Sequence, residues 1–162
     1  GGAGGAPAPP RGNQAKHRPR ALVASYSGAI TPPAAEYLVS AISAAPKRFC
    51  QAVVIELDTP GGLDLSMREI VKAILASQVP VIIYVSPAGA RAASAGVFIA
   101  MAAHVAAMAP GTNIGAAHPV QRGSASSGGG KEDKKPDAVM EKKLVNDASA
   151  YLQAIAAVFF FR

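Results

Sequence analysis

Three short apolar runs separated by helix-like segments constrain the fold of this 162-residue chain most strongly. The runs cover residues 22–26, 52–58 and 79–85, and the last of them is apolar throughout. A continuous apolar run of this length is typical of a strand that is covered on both faces. The segments between the runs, at about 32–46 and 64–77, carry apolar residues at helical spacing. Strands alternating with helices predict an α/β fold with a largely parallel sheet.

The boundaries of these elements follow from local signals. Thr31 is placed to cap the first helix, and Pro32 suits its first turn. We expect a further helix from Ser94 to about residue 103, a strand at 105–108 and a last helix from about residue 137. The apolar side of the second helix is predicted to contain Leu65, Ile70, Ile74 and Leu75, and the stripe of the last helix Val139, Leu144, Val145, Ala148, Tyr151, Leu152 and Ile155.

Two small-residue segments carry the chemical signal. The strand at 52–58 runs straight into Thr59, Pro60, Gly61 and Gly62. Paired glycines after a strand let the backbone approach a substrate carbonyl and direct an N–H at it. Ser94, flanked by alanine and glycine, lies at a predicted helix N-terminus, where unpaired N–H groups can also hold an oxyanion. Because functional loops of a parallel sheet collect at the carboxyl ends of its strands, we expect Ser94 and the glycine loop to converge. Together they indicate acyl transfer.

A serine nucleophile needs a proton acceptor, and the sequence offers several candidates. His118 follows an extended segment on the loop side of the sheet, where a neutral imidazole can take the Ser94 proton; a surface loop histidine is the alternative. His104, between a helix and a strand, is interpreted as structural. Lys142 and Lys143 are adjacent, so at most one points inward as a desolvated base, and solvated surface lysines are the alternative.

Charge and composition exclude several classes of function. The formal net charge of +6 comes from the two ends, because residues 21–121 carry five basic and five acidic side chains. No aromatic residues interleave with the basic ones, which argues against nucleic acid. No metal-binding spacing or phosphate loop is present, and no cofactor is expected. Cys50 stands alone, which excludes an internal disulfide, and is expected to be buried. Asp58 and Asp64 are explained by loop structure and capping.

The ends and one internal stretch differ in composition from the rest. Residues 1–20 are basic and rich in glycine and proline, and we expect a disordered leader followed by one domain at 21–162. Residues 121–136, rich in glycine, serine and lysine, predict a mobile loop. No apolar run is long enough to span a bilayer, and no signal peptide is seen. The first residue is not methionine, so we expect a fragment or processed product.

With these motifs in view, the chain resembles the N-terminal protease domain of the NfeD family, membrane-bound serine proteases of the ClpP class. The resemblance runs from about residue 22 to 156 and is strongest in the segments 55–62, 80–85, 92–96 and 108–116. It implies a ClpP/crotonase-like fold, peptide-bond hydrolysis, self-association as a dimer or larger oligomer, and membrane-associated or extracytoplasmic location of the full-length proteins. It further implies a polypeptide substrate, with a stomatin-like membrane protein as a candidate, and a preference for apolar segments.

The resemblance also assigns site residues. It implies Ser94 as nucleophile and the N–H groups of Gly61, Gly62 and Ala95 as oxyanion donors. Archaeal members are described as Ser-Lys dyad enzymes, and our alignment of the last helix places Gln153 at the position of that lysine. His118 falls where ClpP carries its histidine.

We therefore predict a base at His118, with Lys143 second and an inactive site third. The family continues beyond the last helix, so we expect this domain to be incomplete at its C-terminus. The alternatives are a catalytically decayed interaction module and an acyl-CoA enzyme of the crotonase type.

Overall fold

The computed structural model describes residues 18–115 and 138–160. Most of the predicted leader, the 121–136 loop and His118 lie outside these residues. The elements in chain order are β1 (Ala21–Ser27), α1 (Pro32–Lys47), β2 (Ala52–Asp58), α2 (Asp64–Leu75), β3 (Val81–Val85), β4 (Arg91–Ala93), α3 (Ala95–Ala102), β5 (Val105–Met108), β6 (Asn113–Gly115) and α4 (Ala138–Phe160).

The main sheet has four strands in the order β1-β2-β3-β5, and every neighbouring pair is parallel. Each strand is followed by a crossover that returns the chain to the same end of the sheet. The carboxyl ends of β1, β2 and β3 therefore meet at one edge, and the loops after them lie side by side. The prediction of an α/β fold with a mostly parallel sheet and flanking helices is confirmed.

A second, smaller sheet lies at this carboxyl edge. The strands β4 and β6 pair in parallel, with Ala92 opposite Ile114. Two isolated bridges join the edge to this sheet and to the end of β1: Thr59 pairs with Ala92, and Ile30 pairs with Gly62. Backbone hydrogen bonds thus tie the loop after β2 to the segments after β1 and β3, which places the glycine loop in a fixed position.

The hydrophobic core lies on one face of the main sheet. Alternate strand residues such as Ile55 and Ile83 are fully buried and belong to one cluster with side chains from all four helices. Leu38 of α1, Ile70 of α2 and Ile155 of α4 represent those helices in the cluster. Cys50 is buried beside this core, as predicted.

The opposite face of the sheet is open in the described part of the chain. Val23 of β1 is 59% exposed and Val105 of β5 is 52% exposed, and Ile82 and Tyr84 of β3 are half-buried. The prediction that residues 79–85 form a strand covered on both faces holds only in part, because Ile82 and Tyr84 on the second face of β3 are half-buried. An apolar run indicates burial on average, but in β3 only Val81–Val85 is strand and one of its two faces meets the helices.

Two details of the helices also differ from expectation. Leu65 is 77% exposed, because the buried side of α2 is formed by Ser66, Met67, Ile70, Val71 and Ile74, and Leu65 lies well round the helix from that stripe. Thr31 occupies the N-cap position of α1, as predicted, but its side chain makes no capping hydrogen bond. The helix also continues through Pro46 to Lys47 instead of ending at the proline.

Candidate active site

Ser94 has an uncommon backbone conformation at the start of α3. Its φ is 51° and its ψ is −115°, and a positive φ is rare outside glycine because Cβ meets the backbone. Holding a residue there costs on the order of 1–3 kcal/mol, so the surroundings must impose it. The Ser94 N–H donates to the Gly115 carbonyl at 3.2 Å, and the Ser94 carbonyl accepts from the Val97 N–H at 3.0 Å. The hydroxyl makes no capping hydrogen bond, which distinguishes Ser94 from an ordinary N-cap serine.

Gly61 lies directly against the Ser94 side chain. A Cβ added at Gly61 would stand 2.5 Å from Ser94 Cβ, which is closer than Cβ atoms approach one another, and 3.0 Å from Ser94 Oγ, which is a very tight contact. Gly61 also has φ 108°, a conformation that side chains rarely adopt. The glycine loop and Ser94 therefore converge, as the sequence predicts, and only glycine at position 61 leaves room for the hydroxyl.

Thr59 is buried and joins the glycine loop to the segment that precedes Ser94. Its N–H donates to the Arg91 carbonyl at 2.7 Å, and its carbonyl accepts from the Ala93 N–H at 3.0 Å. Its methyl group fills the space beside Gly96, where an added Cβ would lie 2.7 Å from Thr59 Cγ2. Sequence analysis assigned no role to Thr59. The signal was available in its position, since a β-branched residue before a proline is held extended.

The expected oxyanion donors do not have the same surroundings. The Gly61 N–H donates to Thr59 Oγ1 at 3.1 Å, so this bond occupies a group that was expected to face an oxyanion. Within the described residues, no acceptor takes the N–H of Gly62 or of Ala95. Gly62 is fixed by its bridge to Ile30, and Ala95 is the first residue of α3, where a helix leaves its N–H groups unpaired.

Asp58 organises the same edge through hydrogen bonds to three residues. Its carboxylate accepts hydrogen bonds from the Arg91 N–H at 3.0 Å and from Ser27 Oγ at 3.2 Å. Its carbonyl accepts from the Gly28 N–H at 2.9 Å. These contacts give Asp58 the loop-structuring role that the sequence predicts.

Helix α4 packs on α3 and forms the side of the candidate site beyond Ser94. The Tyr151 ring stacks on Phe98, one turn after Ser94, with centroids 5.9 Å apart. The Arg68 guanidinium lies over the Tyr151 ring, 4.2 Å from its centroid. Arg68 bonds Asp64 at 2.8 Å and Asp147 at 2.9 Å, so one side chain links the start of α2 to α4. The hydrogen bond with Asp64, followed by the charges of both carboxylates, raises the pKa of Arg68.

Helix geometry places Lys143 and Gln153 on different faces of α4. Lys143, Asp147 and Tyr151 are spaced at i, i+4 and i+8 and share one face of the helix. Lys143 therefore lies one helical turn before Asp147 on that face, and its side chain is exposed. Gln153 is exposed and lies two residues after Tyr151, which turns it to the opposite face of α4.

The two histidines that the sequence analysis considered have different outcomes. His104 Nδ1 accepts from the Val81 N–H at 3.1 Å, and the His104 backbone N–H donates to the Val81 carbonyl at 3.0 Å. This pairing joins the end of α3 to the start of β3, which is the structural role that was predicted. His118, the first predicted base, lies outside the described residues.

A cleft of about 730 Å³ opens elsewhere, beside the open face of the sheet. Its walls include Ser25, Glu56, Tyr84 and Pro110, and it does not include Ser94 or the glycine loop. Residues 18–115 and 138–160 contain no cluster of three or more His, Cys, Asp or Glu side chains that could hold a metal ion. In the same ranges, no helix is long and apolar enough to cross a membrane.

Comparison with known proteins gives consistent matches. The chain is 49% identical over 98 residues to the membrane-bound protease PH1510 of Pyrococcus horikoshii, which covers 60% of this chain and 22% of the relative. A solved structure of the 1510-N membrane-bound stomatin-specific protease, in a serine-to-alanine mutant, matches with a TM-score of 0.73 and 39% identity. That match covers 86% of this chain and 64% of the other.

A second solved structure adds a substrate. It is a lysine-to-alanine mutant of the same protease in complex with a substrate peptide, with a TM-score of 0.72 and 40% identity. It covers 87% of this chain and 61% of that one. This chain thus spans about a fifth of the length of the curated relative and under two thirds of the solved chains.

The family profile described as NfeD1b, N-terminal domain, matches residues 27–153. This span includes β2 and its glycine loop, Ser94 and most of α4. With the fold and the relatives in agreement, the chain belongs to the family of NfeD1b N-terminal domains.

Proposed function

We propose that this domain is a serine endopeptidase of the ClpP class in which Ser94 forms an acyl-enzyme. The observation that carries the proposal is the conformation of Ser94. A positive φ, a hydroxyl that does not cap its helix and a glycine pressed against it are costly features for a structural serine. They suit a nucleophile held on a sharp turn before a helix, with its oxygen free to attack.

The reaction then follows from the groups around Ser94. The base removes the hydroxyl proton while Oγ attacks the peptide carbonyl, and the carbonyl oxygen takes up the negative charge. The N–H groups of Gly62 and Ala95 stabilise that oxyanion, while Gly61 supplies clearance. The protonated base gives its proton to the leaving amine, which leaves Ser94 acylated. Water, activated by the same base, releases the product and restores the hydroxyl.

For the base we favour Lys143 over His118. Lys143 shares a face of α4 with Asp147, which Arg68 connects to Asp64. Asp64 is the first residue of α2 and lies three residues after Gly61. Gln153, which the alignment placed at the family's lysine position, is on the opposite face. The solved relatives support a serine and a lysine as the reactive pair, since each was replaced by alanine in one of them. His118 remains the alternative base.

The substrate and setting come from the relatives. A relative bound to a substrate peptide supports a polypeptide substrate, and its description as stomatin-specific supports a stomatin-like membrane protein. We propose that cleavage falls in an apolar segment of such a protein, that the full-length protein is membrane-associated, as the name of its Pyrococcus relative indicates, and that the domain works as a homo-oligomer.

Labelling by a fluorophosphonate probe tests the proposal without knowledge of the substrate. An activated serine displaces fluoride from phosphorus and becomes covalently labelled, whereas an ordinary serine does not. We would compare the wild-type chain with Ser94→Ala, Lys143→Ala and His118→Ala. Ser40→Ala, at an exposed serine of α1, is the matched control.

We expect labelling to disappear in Ser94→Ala, to fall by about 100-fold or more in Lys143→Ala and to persist in Ser40→Ala. Loss in His118→Ala with normal labelling in Lys143→Ala would move the base to His118. A folded wild type that does not react would overturn the peptidase and leave the interaction module. Turnover of a CoA thioester would instead support the crotonase-type enzyme.

A further inference from the structure

The Thr59 side chain holds both polar groups of Gly61. Its hydroxyl oxygen accepts from the Gly61 N–H at 3.1 Å, and the same hydroxyl donates to the Gly61 carbonyl at 3.3 Å. Thr59 is fully buried, so both hydrogen bonds lie out of contact with water. Because one hydroxyl holds the groups on either side of the Gly61 Cα, it restricts both backbone dihedrals of a residue that is otherwise free to rotate.

The peptide unit that follows Gly61 lies beside Ser94. A Cβ on Gly61 would stand 2.5 Å from Ser94 Cβ, and the nitrogen of Gly62 is only two bonds from the Gly61 Cα. In a planar trans peptide, the Gly62 N–H points opposite to the Gly61 carbonyl. That carbonyl accepts from the Ile30 N–H at 2.9 Å and from the Thr59 hydroxyl. Thr59 therefore helps to fix the direction of the Gly62 N–H.

The backbone of Thr59 is tied to the segment that leads to Ser94. Thr59 makes two backbone hydrogen bonds to β4, at 2.7 and 3.0 Å. The strand β4 ends at Ala93, directly before Ser94, and α3 begins at Ala95. One residue thus connects the segment that carries Ser94 and Ala95 to the loop that carries Gly62. The two proposed oxyanion donors are held relative to each other through Thr59.

The two γ-atoms of Thr59 contact different neighbours, so their effects can be separated. Cγ2 fills the space beside Gly96, where an added Cβ would lie 2.7 Å away, whereas Oγ1 holds Gly61. Valine replaces the hydroxyl by a methyl group of similar size and keeps the contact with Gly96. Serine keeps the hydroxyl and lacks the methyl group. In the valine variant the Gly61 N–H loses its acceptor in a buried position, which favours a change in the loop.

We infer that Thr59 is a positioning residue for the oxyanion site: its hydroxyl, by holding both polar groups of Gly61, directs the Gly62 N–H towards the oxyanion that forms when Ser94 attacks. This inference rests on the proposed function, with the N–H groups of Gly62 and Ala95 as oxyanion donors. It does not depend on which residue is the base.

The test is the rate of fluorophosphonate labelling of the 162-residue chain, measured over a range of probe concentrations so that the maximum rate is separated from the affinity for the probe. The variants are Thr59→Val, Thr59→Ser and Thr59→Ala. Ser77→Ala is the matched control, because the Ser77 hydroxyl makes the same pair of bonds at the opposite end of the main sheet, before β3. It accepts from the Val79 N–H at 3.4 Å and donates to the Val79 carbonyl at 2.7 Å. Urea midpoints report the stability of each variant.

We expect the maximum labelling rate of Thr59→Val to fall about tenfold with the probe affinity unchanged. The loss is smaller than the roughly 100-fold or larger loss on removing an oxyanion donor, because the Gly62 N–H is misdirected and still present. Thr59→Ser should label within about twofold of wild type, although the space left beside Gly96 lowers its urea midpoint.

The remaining variants guard against a general loss of structure. Ser77→Ala should lose stability and label as wild type does. Thr59→Ala differs from Thr59→Ser only by the hydroxyl, so it should label about tenfold more slowly than the serine variant. This pair gives the answer if Thr59→Val does not fold.

Three results overturn the inference and leave the proposed function standing, provided that Ser94→Ala loses the labelling seen in wild type. The first is a wild-type rate in folded Thr59→Val, or equal rates in Thr59→Ala and Thr59→Ser. The second is a serine variant as slow as the valine variant, which would assign the effect to packing beside Gly96. The third is an equally slow Ser77→Ala, since labelling would then follow stability alone. A folded wild type that is not labelled would instead overturn the proposed function and this inference together.

Discussion

The two sides of the candidate site are held by different kinds of interaction. The floor, formed by Thr59, Gly61, Gly62 and Ser94, is held by backbone hydrogen bonds and by atoms too close to admit another carbon. The wall, formed by Arg68, Asp147 and Tyr151, is held by side chains that remain partly exposed. Steric exclusion is steep, whereas exposed charge pairs are weak and adjustable. Ser94 is therefore fixed by the fold, whereas the wall consists of contacts that can change with little loss of stability.

The largest effect on stability should come from Gly62→Ala, which disturbs the backbone pairing of the floor. The added Cβ would lie 2.1 Å from the Ile30 carbonyl oxygen and 2.5 Å from the Ile30 nitrogen, so the bridge between the two segments must break. We expect a loss of about 3 kcal/mol in the free energy of unfolding, measured by urea denaturation. Gly115→Ala is the control, because a Cβ there meets nothing within 4 Å among the residues that the structure describes. Equal stability of the two variants would contradict a sterically fixed floor.

Gly61→Ala should act on the same floor but chiefly on reactivity. Its Cβ would overlap the Ser94 side chain at 2.5 Å, and alanine is strained at φ 108°. We expect a destabilisation of about 2 kcal/mol and the loss of fluorophosphonate labelling. Gly111→Ala shares the positive φ, at 73°, but its Cβ would have 3.9 Å of clearance. That control should lose about 1 kcal/mol and keep its labelling. If both variants label alike, Gly61 does not shape the position of Ser94.

Ser94→Gly distinguishes the backbone strain at position 94, which affects stability, from the reactivity of the hydroxyl. Glycine adopts φ 51° without the clash of Cβ, so we expect the free energy of unfolding to rise by about 1 kcal/mol while labelling is abolished. Ser94→Ala keeps the Cβ and its strain, and should be as stable as wild type and equally unreactive. Thermal and urea unfolding of the three proteins measure the difference. A glycine variant no more stable than the alanine variant would mean that the surroundings relieve the strain.

The same division decides how much could be predicted from the sequence. The floor was readable, because a strand running into paired glycines and a serine among small residues are local patterns with one steric meaning. The parallel sheet and its carboxyl edge brought these patterns together, and the structure confirms that Gly61 touches Ser94. The hydrogen bond from the Gly61 N–H to Thr59 Oγ1 could not be predicted from the sequence, because it depends on the side-chain rotamer of Thr59.

The wall could not be predicted in the same way. Arg68 and Asp147 are 79 residues apart, and nothing in the local sequence of either indicates the other. The alignment also did not show which face of α4 packs towards α2. It placed Gln153 where the family has a lysine. Helical spacing shows only that Gln153 lies on another face of α4 than Tyr151 and Asp147, and this can be stated only once the Arg68 contact is known.

The smallest effect concerns the wall at high pH. Burial raises the pKa of Tyr151 above its ordinary value, and the nearby Arg68 cation offsets this only in part. A raised pKa in the folded state means that the folded protein keeps the phenol proton more firmly than the unfolded chain. This contribution is therefore complete below the unfolded value of about 10 and is lost as the pH rises through the folded value.

We expect the urea midpoint of wild type to fall slightly more than that of Tyr151→Phe between pH 9 and pH 11. The phenylalanine keeps the stacking on Phe98 and has no proton to lose. A steeper fall in the variant would mean that the ionised ring gains more from Arg68 than it loses by burial. The charge of Arg68 would then matter more to the wall than burial does, and substitutions at Arg68 should loosen α4 more than its partly exposed ion pairs suggest.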